Sequence, residues 1–282
     1  MSKRLASLLC AGLLLTLGAD GPKTDKNVDT SADPGSFKLV MEYHELQSLV
    51  AKGELVVHEG RIYQFLDKSD EVIVVDPARK NIRILDLDRQ FQTAVSFAEI
   101  EKALAAYRKE IEESIAVDEK SASRADRIEA EMERNLIDPR FVSKYDAKTH
   151  EVSLDNPNIQ VKALGVPESD PRRLALINDA IVVNVKLRTV RDEGTARPPF
   201  AMLDTVDALV AGKNLRPAEM TFVFRLASKP KKYRWVYRLV PSLTDRERAA
   251  ISRIDGLFGR TKRLSFETYE RGYVSGSRTL KK

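Results

Sequence analysis

The sequence predicts an α+β fold: a curved antiparallel β-sheet, half-barrel-like, with helices packed on one face. Three observations predict it. Short runs of alternating apolar and polar residues recur along the chain, at the period of two that a half-buried sheet needs. Glycine, proline and aspartate turns separate those runs. Between them come stretches whose apolar residues fall three or four apart, as on a helix buried along one stripe. With 282 residues, 43% hydrophobic and 32% charged, the chain has enough apolar material for a large core, which excludes wholesale disorder.

The chain opens Met1-Ser2-Lys3-Arg4, then runs from Leu5 to Leu17 almost without polarity, and turns polar after Gly18-Ala19. A basic start, a short apolar stretch and a small residue before a polar turn read as an export signal over 1–19, cleaved near Ala19. As a helix that stretch falls short of a hydrocarbon core of roughly 30 Å. The one cysteine, Cys10, lies inside it. The mature chain then has neither thiol nor disulfide, and is expected in the periplasm or outside the cell. Residues 20–36 hold no large hydrophobe except Val28 and read as a flexible leader. A single α+β domain is expected over 37–272, and a flexible basic tail over 273–282.

From Phe37 to Val95 the domain reads as a run of short strands. Glu54–His58 and Arg61–Leu66 flank the hairpin signal Glu59-Gly60. Glu71–Val75 and Asn81–Leu85 flank a turn that starts Asp76-Pro77, and Gln90–Val95 adds another strand. Ser96 and Glu99 form a capping box for a helix whose stripe is Phe97, Ile100, Leu104, Tyr107, Ile111 and Ile115. A charged helical stretch spans about Ser121–Asn135. Strands return at Arg140–Tyr145, His150–Leu154 and Asn158–Leu164. Asp170-Pro171 caps a helix through Leu174, Ile177, Ile181, Val185 and Arg188. Another helix runs from Phe200 to Ala211 and stops at Gly212. Met220–Leu226 and Lys232–Val240 make a second hairpin, with Phe222, Phe224 and Leu226 on one face and Tyr233, Trp235, Tyr237 and Leu239 on one face of its partner. Ser242 or Thr244 caps a helix to Leu257, and Arg263–Phe266 is a last strand.

Charge is uneven. From Lys213 to Lys282 there are 18 Lys and Arg against 6 Asp and Glu, while the whole chain carries +5, so the first 212 residues are net acidic. This asymmetry points to an anionic partner near the C-terminal third, such as lipid head groups or an acidic envelope polymer. Export argues against nucleic acid, although aromatics interleaved with cations also mark single-strand platforms.

Chemistry leaves few marks. His44, His58 and His150 show no metal-ligand spacing. Nucleophile-elbow and phosphate-cradle motifs are absent from the sequence. Asp86 and Asp88, about 7 Å apart on a regular strand, would suit paired carboxylates for sugar hydrolysis, although acids after a strand are far more often turn or surface residues. No enzyme activity, metal or cofactor is implied.

The stretches Gly60-Arg-Ile-Tyr-Gln-Phe65, Asp70-Glu-Val-Ile-Val-Val-Asp-Pro77, Asn81-Ile-Arg-Ile-Leu-Asp86 and Thr93-Ala-Val-Ser-Phe97 resemble part of a known pattern. It is that of uncharacterised exported bacterial proteins whose N-terminal half is similar to the periplasmic lipoprotein-carrier (Lol-like) half-barrel superfamily. The resemblance covers about residues 54–100. It lacks the tryptophan-tyrosine-x-x-proline strand of the carriers and has no counterpart for the block from Pro171 to Gly212. It implies a curved sheet whose concave side holds acyl chains under helices.

The expected function is a non-enzymatic binding or carrier protein at the cell envelope, for an apolar ligand or a lipid-modified partner. Expected lining residues are Ile62, Phe65, Ile73, Ile82, Ile84, Phe222, Phe224 and Trp235. Ile62 and Phe65 fall on opposite faces of a regular strand, so only one can line the same surface without a bulge. A filled core would show the same residues. Lys231, Lys232, Arg234 and Arg238 are expected to contact an anionic surface. The alternative is an envelope assembly protein that binds an anionic protein, polysaccharide or membrane through this basic third.

Overall fold

The computed structural model describes residues 35–67, 69–191, 199–225 and 230–277; the expected export signal, its cleavage site and all but the end of the leader lie outside them. Six strands come first: β1 (Phe37–Glu45), β2 (Ser48–His58), β3 (Arg61–Leu66), β4 (Glu71–Asp76), β5 (Asn81–Asp86) and β6 (Phe91–Ser96). Each pairs antiparallel with the next, as an up-and-down meander. Helices α1 (Phe97–Asp118) and α2 (Arg124–Ile137) follow, then β7 (Val142–Asp146), β8 (Glu151–Asp155) and β9 (Ile159–Pro167). After α3 (Pro171–Val190) and α4 (Pro199–Val210) come β10 (Leu215–Phe224) and β11 (Lys231–Val240), then α5 (Asp245–Phe258), β12 (Lys262–Arg263) and α6 (Phe266–Ser277).

All twelve strands join one open sheet in the order β12-β6-β5-β4-β3-β2-β1-β11-β10-β9-β8-β7. It consists of two meanders joined by one seam, where β1 pairs antiparallel with β11 from Lys38↔Val240 to Glu45↔Tyr233. Among the described residues only β12 pairs in parallel, with β6. The fold class is therefore α+β with a mostly antiparallel sheet that does not close into a barrel. Among the described residues no helix is long and apolar enough to cross a membrane.

Local chemistry accounts for the elements. Ser96 and Glu99 make the expected capping box, and Thr244 with Glu247 makes another at α5. Asp170 accepts from the amides of Arg172 and Arg173 at the start of α3, with Pro171 in the first turn. The β-branched run Ile181-Val182-Val183 stays helical because Ile181 and Val183 are buried, so packing overrides intrinsic preference. Ser36, placed in the leader by sequence, is buried with its hydroxyl 2.9 Å from His58 Nδ1. After Arg263, a helix forms where the sequence suggests the end of a strand and then a tail; the tail residues from 278 on lie outside the described set.

Burial separates the two faces of the sheet. On one, Leu39, Leu55, Ile62, Ile73, Ile84 and Phe222 join residues of α3 and α4 in the main core. On the other, Val56, Tyr63, Val72, Val74 and Leu85 pack against Ile251, Ile254 and Phe258 of α5. The Tyr63 hydroxyl donates to Asp255 of α5 at 3.1 Å, and Arg83 lies 3.6 Å above the Phe258 ring. Thus α5 is the exception to a one-faced helical layer.

Gly165 on β9 marks the tightest approach in the second meander. A Cβ there would stand 2.7 Å from Leu215 Cβ on β10 and 3.2 Å from Leu209 Cδ2 on α4. Gly165→Ala should therefore destabilise the protein by about 1–3 kcal/mol through overpacking. Urea unfolding would show it as a lowered midpoint at unchanged slope; an unchanged midpoint would mean that β10 yields freely.

Candidate functional site

Where β1, β2, β3, β10 and β11 pass under α3 and α4, the main core is incompletely filled. A cavity of about 90 Å³, partly open to solvent, lies there. Its apolar wall includes Met41, Leu66, Met202, Phe222 and Trp235. From α3, Ile181, Asn184, Val185 and Arg188 line it, and their spacing of three and four places them on one helical face. Gly53 on β2 is also part of the wall. A Cβ at Gly53 would come within 2.9 Å of both Leu66 Cδ2 and the Phe65 carbonyl oxygen, so the missing side chain lets β2 and β3 approach.

Aromatic rings continue the wall along β1, β10 and β11. Tyr43 lies 4.9 Å from Trp235, Trp235 meets Phe222 edge-on at 5.1 Å, and Phe224 meets Tyr233 edge-on at 5.6 Å. Edge-on and tilted pairs at these distances are favourable beyond their burial.

Polar groups enter the same space. Gln64 is 3% exposed and lines the cavity. It stands between Ile62 and Leu66 on the helix-covered face of β3. Tyr237 is buried and lines it from β11. Burial pushes the Tyr43 hydroxyl up to about 12, with Tyr233 and Glu45 adding to the rise and Arg188 opposing it. Burial also raises Tyr237 strongly, again against the pull of Arg188. At the rim, Glu42 and Lys52 are cross-strand partners on β1 and β2.

These raised tyrosines set an alkaline limit. Unfolded tyrosine ionises near 10, so between about pH 10 and 12 the folded chain binds more protons than the unfolded one, and stability falls as pH rises. Urea midpoints measured from pH 9 to 11.5 should decline. Tyrosinate absorbance at 295 nm should show a late-titrating fraction that appears only near unfolding. A flat midpoint and a single ordinary titration would contradict this.

The structure divides the expected lining residues. Phe222 and Trp235 line the cavity. Ile62, Ile73, Ile82, Ile84 and Phe224 are at most 5% exposed in the filled core and do not line it. Phe65 points to the opposite face, where it packs in the cluster under α5. The reason is physical: alternation fixes a side chain's face but not whether neighbours fill the space above it. Sequence reasoning missed Gln64, Tyr237 and the α3 residues as lining groups. A polar residue in the apolar row Ile62-Gln64-Leu66 was a readable signal.

The expected cationic contacts differ among themselves. Lys232, Arg234 and Arg238 share the sheet face away from the cavity, while Lys231 alternates to the other. Arg234 donates to Glu219 at 2.7 Å, which neutralises it locally; Lys231, Lys232 and Arg238 are exposed.

Asp86 and Asp88 do not form a pair. Asp86 is buried at the end of β5, where it accepts from Arg89 Nε at 2.6 Å and from the Arg89 amide at 2.7 Å. Asp88 lies exposed in the turn beyond the strand. Across β4, Glu71 is the register partner of Asp86. It belongs to a buried cluster in which Arg191 donates to its two oxygens at 2.9 and 3.1 Å and the Tyr269 hydroxyl donates to it at 2.6 Å. Arg191 Nε also donates to Glu270 at 3.1 Å. Burial and the neighbouring Glu71 both raise Tyr269. This arrangement ties the end of α3 and α6 to the sheet. Among the described residues no group of three His, Cys, Asp or Glu could hold a metal. No protein-family model matches this sequence, and no curated protein matches it either.

Proposed function

We propose that this chain is an exported, non-enzymatic binding or carrier protein for an apolar ligand, or for the apolar end of a modified partner, at the cell envelope. The observation that carries the reading is the cavity between the seam of the sheet and helices α3 and α4. Apolar walls with a few inward polar groups are the usual make-up of a small-molecule site. Its volume of about 90 Å³ is smaller than the roughly 150 Å³ apolar cavity that accepts benzene. Because it is partly open, it suits one short chain or the end of a longer one, and not a two-chain lipid.

Native mass spectrometry of the mature chain, prepared from an envelope fraction without detergent and with lipid extraction alongside, tests this. A bound single-chain species supports the proposal. A clean apo mass with no shift on adding single-chain lipids overturns it. The alternative of an envelope assembly protein is favoured by the exposure of Lys231, Lys232 and Arg238. Salt-sensitive binding to anionic vesicles or polymers by a cavity-empty protein would support that reading.

A further inference from the structure

We infer that the groove beside α5 seats an acidic amphipathic helix of a protein partner. The partner's carboxylates meet Arg246 and Arg253, and its apolar stripe covers Phe65 and Leu87. The inference rests on the assembly reading above, to which it gives a surface and a partner class, and it does not depend on the cavity. The groove lies on the sheet face away from that cavity, where α5 alone of the described helices packs in the apolar cluster. Two recesses of about 560 and 490 Å³ lie beside α5. Both are lined by Phe65, Arg246 and Ala250, so they run together as one groove. It follows α5 from Thr244 to Leu257, about 20 Å of helix. Leu87, 40% exposed, extends its floor beyond β5.

Shape and charge together select the occupant. Arg246, Ala249, Ala250, Arg253 and Leu257 line the groove from α5, a spacing of three and four that puts them on one side of the helix. The small Ala249 and Ala250 leave that side low, which lets a second helix approach closely. Strands β2 to β5 are paired along both edges, so no strand edge is open here for a peptide to extend. A flat bilayer meets the arginines without filling the recess between them and the sheet. Arg246 and Arg253 are exposed and make no side-chain hydrogen bond or ion pair among the described residues. The carboxylates that border the groove are already engaged: Asp86 by Arg89, and Glu54 and Glu247 by Lys38. With those partners the border holds four cations against three carboxylates among the described residues. Arg246 and Arg253 stand two helical turns apart, about 10 Å. Acidic residues at the same spacing on a partner helix match them.

The probe is a labelled peptide of about 15 residues, long enough to form the helix, with a leucine stripe at i, i+3, i+4 and i+7 flanked by glutamates. Its binding to the mature protein is followed by fluorescence anisotropy. A scrambled peptide without the stripe and a version with lysine for glutamate serve as controls, with phosphatidylglycerol vesicles alongside. The acidic peptide should bind saturably and at least about tenfold tighter than either control. Arg246→Glu combined with Arg253→Glu should weaken it at least about tenfold, and Ala250→Trp by a similar factor through filling the recess. All three positions are exposed, so melting temperatures should stay within about 3 °C of the wild type. Binding no tighter than the scrambled control, or unaltered by these variants, overturns the inference. Self-association of the protein that Ala250→Trp removes assigns the groove to a second copy, and vesicle binding that the charge variant removes, without peptide binding, assigns it to a membrane; each overturns the inference. Vesicle binding that these variants leave untouched, without peptide binding, overturns the groove and keeps the assembly reading on β11. Binding of neither peptide nor vesicles overturns both.

Discussion

Arg191→Met should destabilise the protein by about 3–5 kcal/mol, the range for removing one partner of a buried ion pair. The Arg191 side chain is 1% exposed and its bidentate partner Glu71 is 6% exposed. Their worth does not come from net attraction, because desolvation offsets most of that. The loss comes from what is left behind: a buried carboxylate on β4 with the Tyr269 hydroxyl as its remaining donor among the bonds described. The double variant Arg191→Met, Glu71→Leu should therefore recover much of the loss. Urea unfolding of the wild type and both variants decides the matter. If the double variant is as unstable as the single one, the cluster acts through packing or through Glu270, and the charge argument fails.

Ile84→Ala should cost about 2–5 kcal/mol, from lost transfer energy plus the void left behind. Ile84 is 0% exposed and is held between Ile73 and Thr93 in register on the neighbouring strands. Its neighbours belong to sheet and core, so little can collapse into the gap. The same variant should leave binding of a single-chain lipid unchanged within twofold, because Ile84 does not line the cavity. Melting curves and Trp235 titrations on one preparation separate the two effects. A large affinity change with intact fold would restore Ile84 as a ligand-contacting residue.

The strands from Glu54 to Val95 were legible because short β-branched runs, alternating in β3 and β5 and continuous in β2 and β4, are separated by turns that carry Gly, Asp or Pro. The hairpin between β1 and β2 was not. It turns at Leu46, whose φ is +57°, a left-handed value that sequence rules assign to Gly, Asn or Asp. The last helix was hidden by Gly272 and Gly276, which lower helix preference within it. The cavity was half legible. Phe222 and Trp235 could be placed on the right face, but the space above them depends on the orientation of α3, which approaches from a distant part of the chain. Asp86 misled for a related reason: its partner Arg89 is local, but its burial comes from strands and a helix not visible in the spacing.

The seam between β1 and β11 also sets an order of assembly. Lys38 and Val240 are neighbours in the sheet but about 200 residues apart along the chain, a separation whose closure entropy grows only slowly with length yet delays contact. The six strands of the first meander need only hairpin contacts, so they can pair as soon as they emerge. Their edge at β1 must then stay open until the second hairpin has been synthesised. Gly53, Met41 and Tyr43 border that edge on one side of the cavity, and Phe222, Trp235 and Tyr237 border it on the other. The cavity is therefore among the last features of the molecule to exist, and it forms only when the two ends of the fold meet.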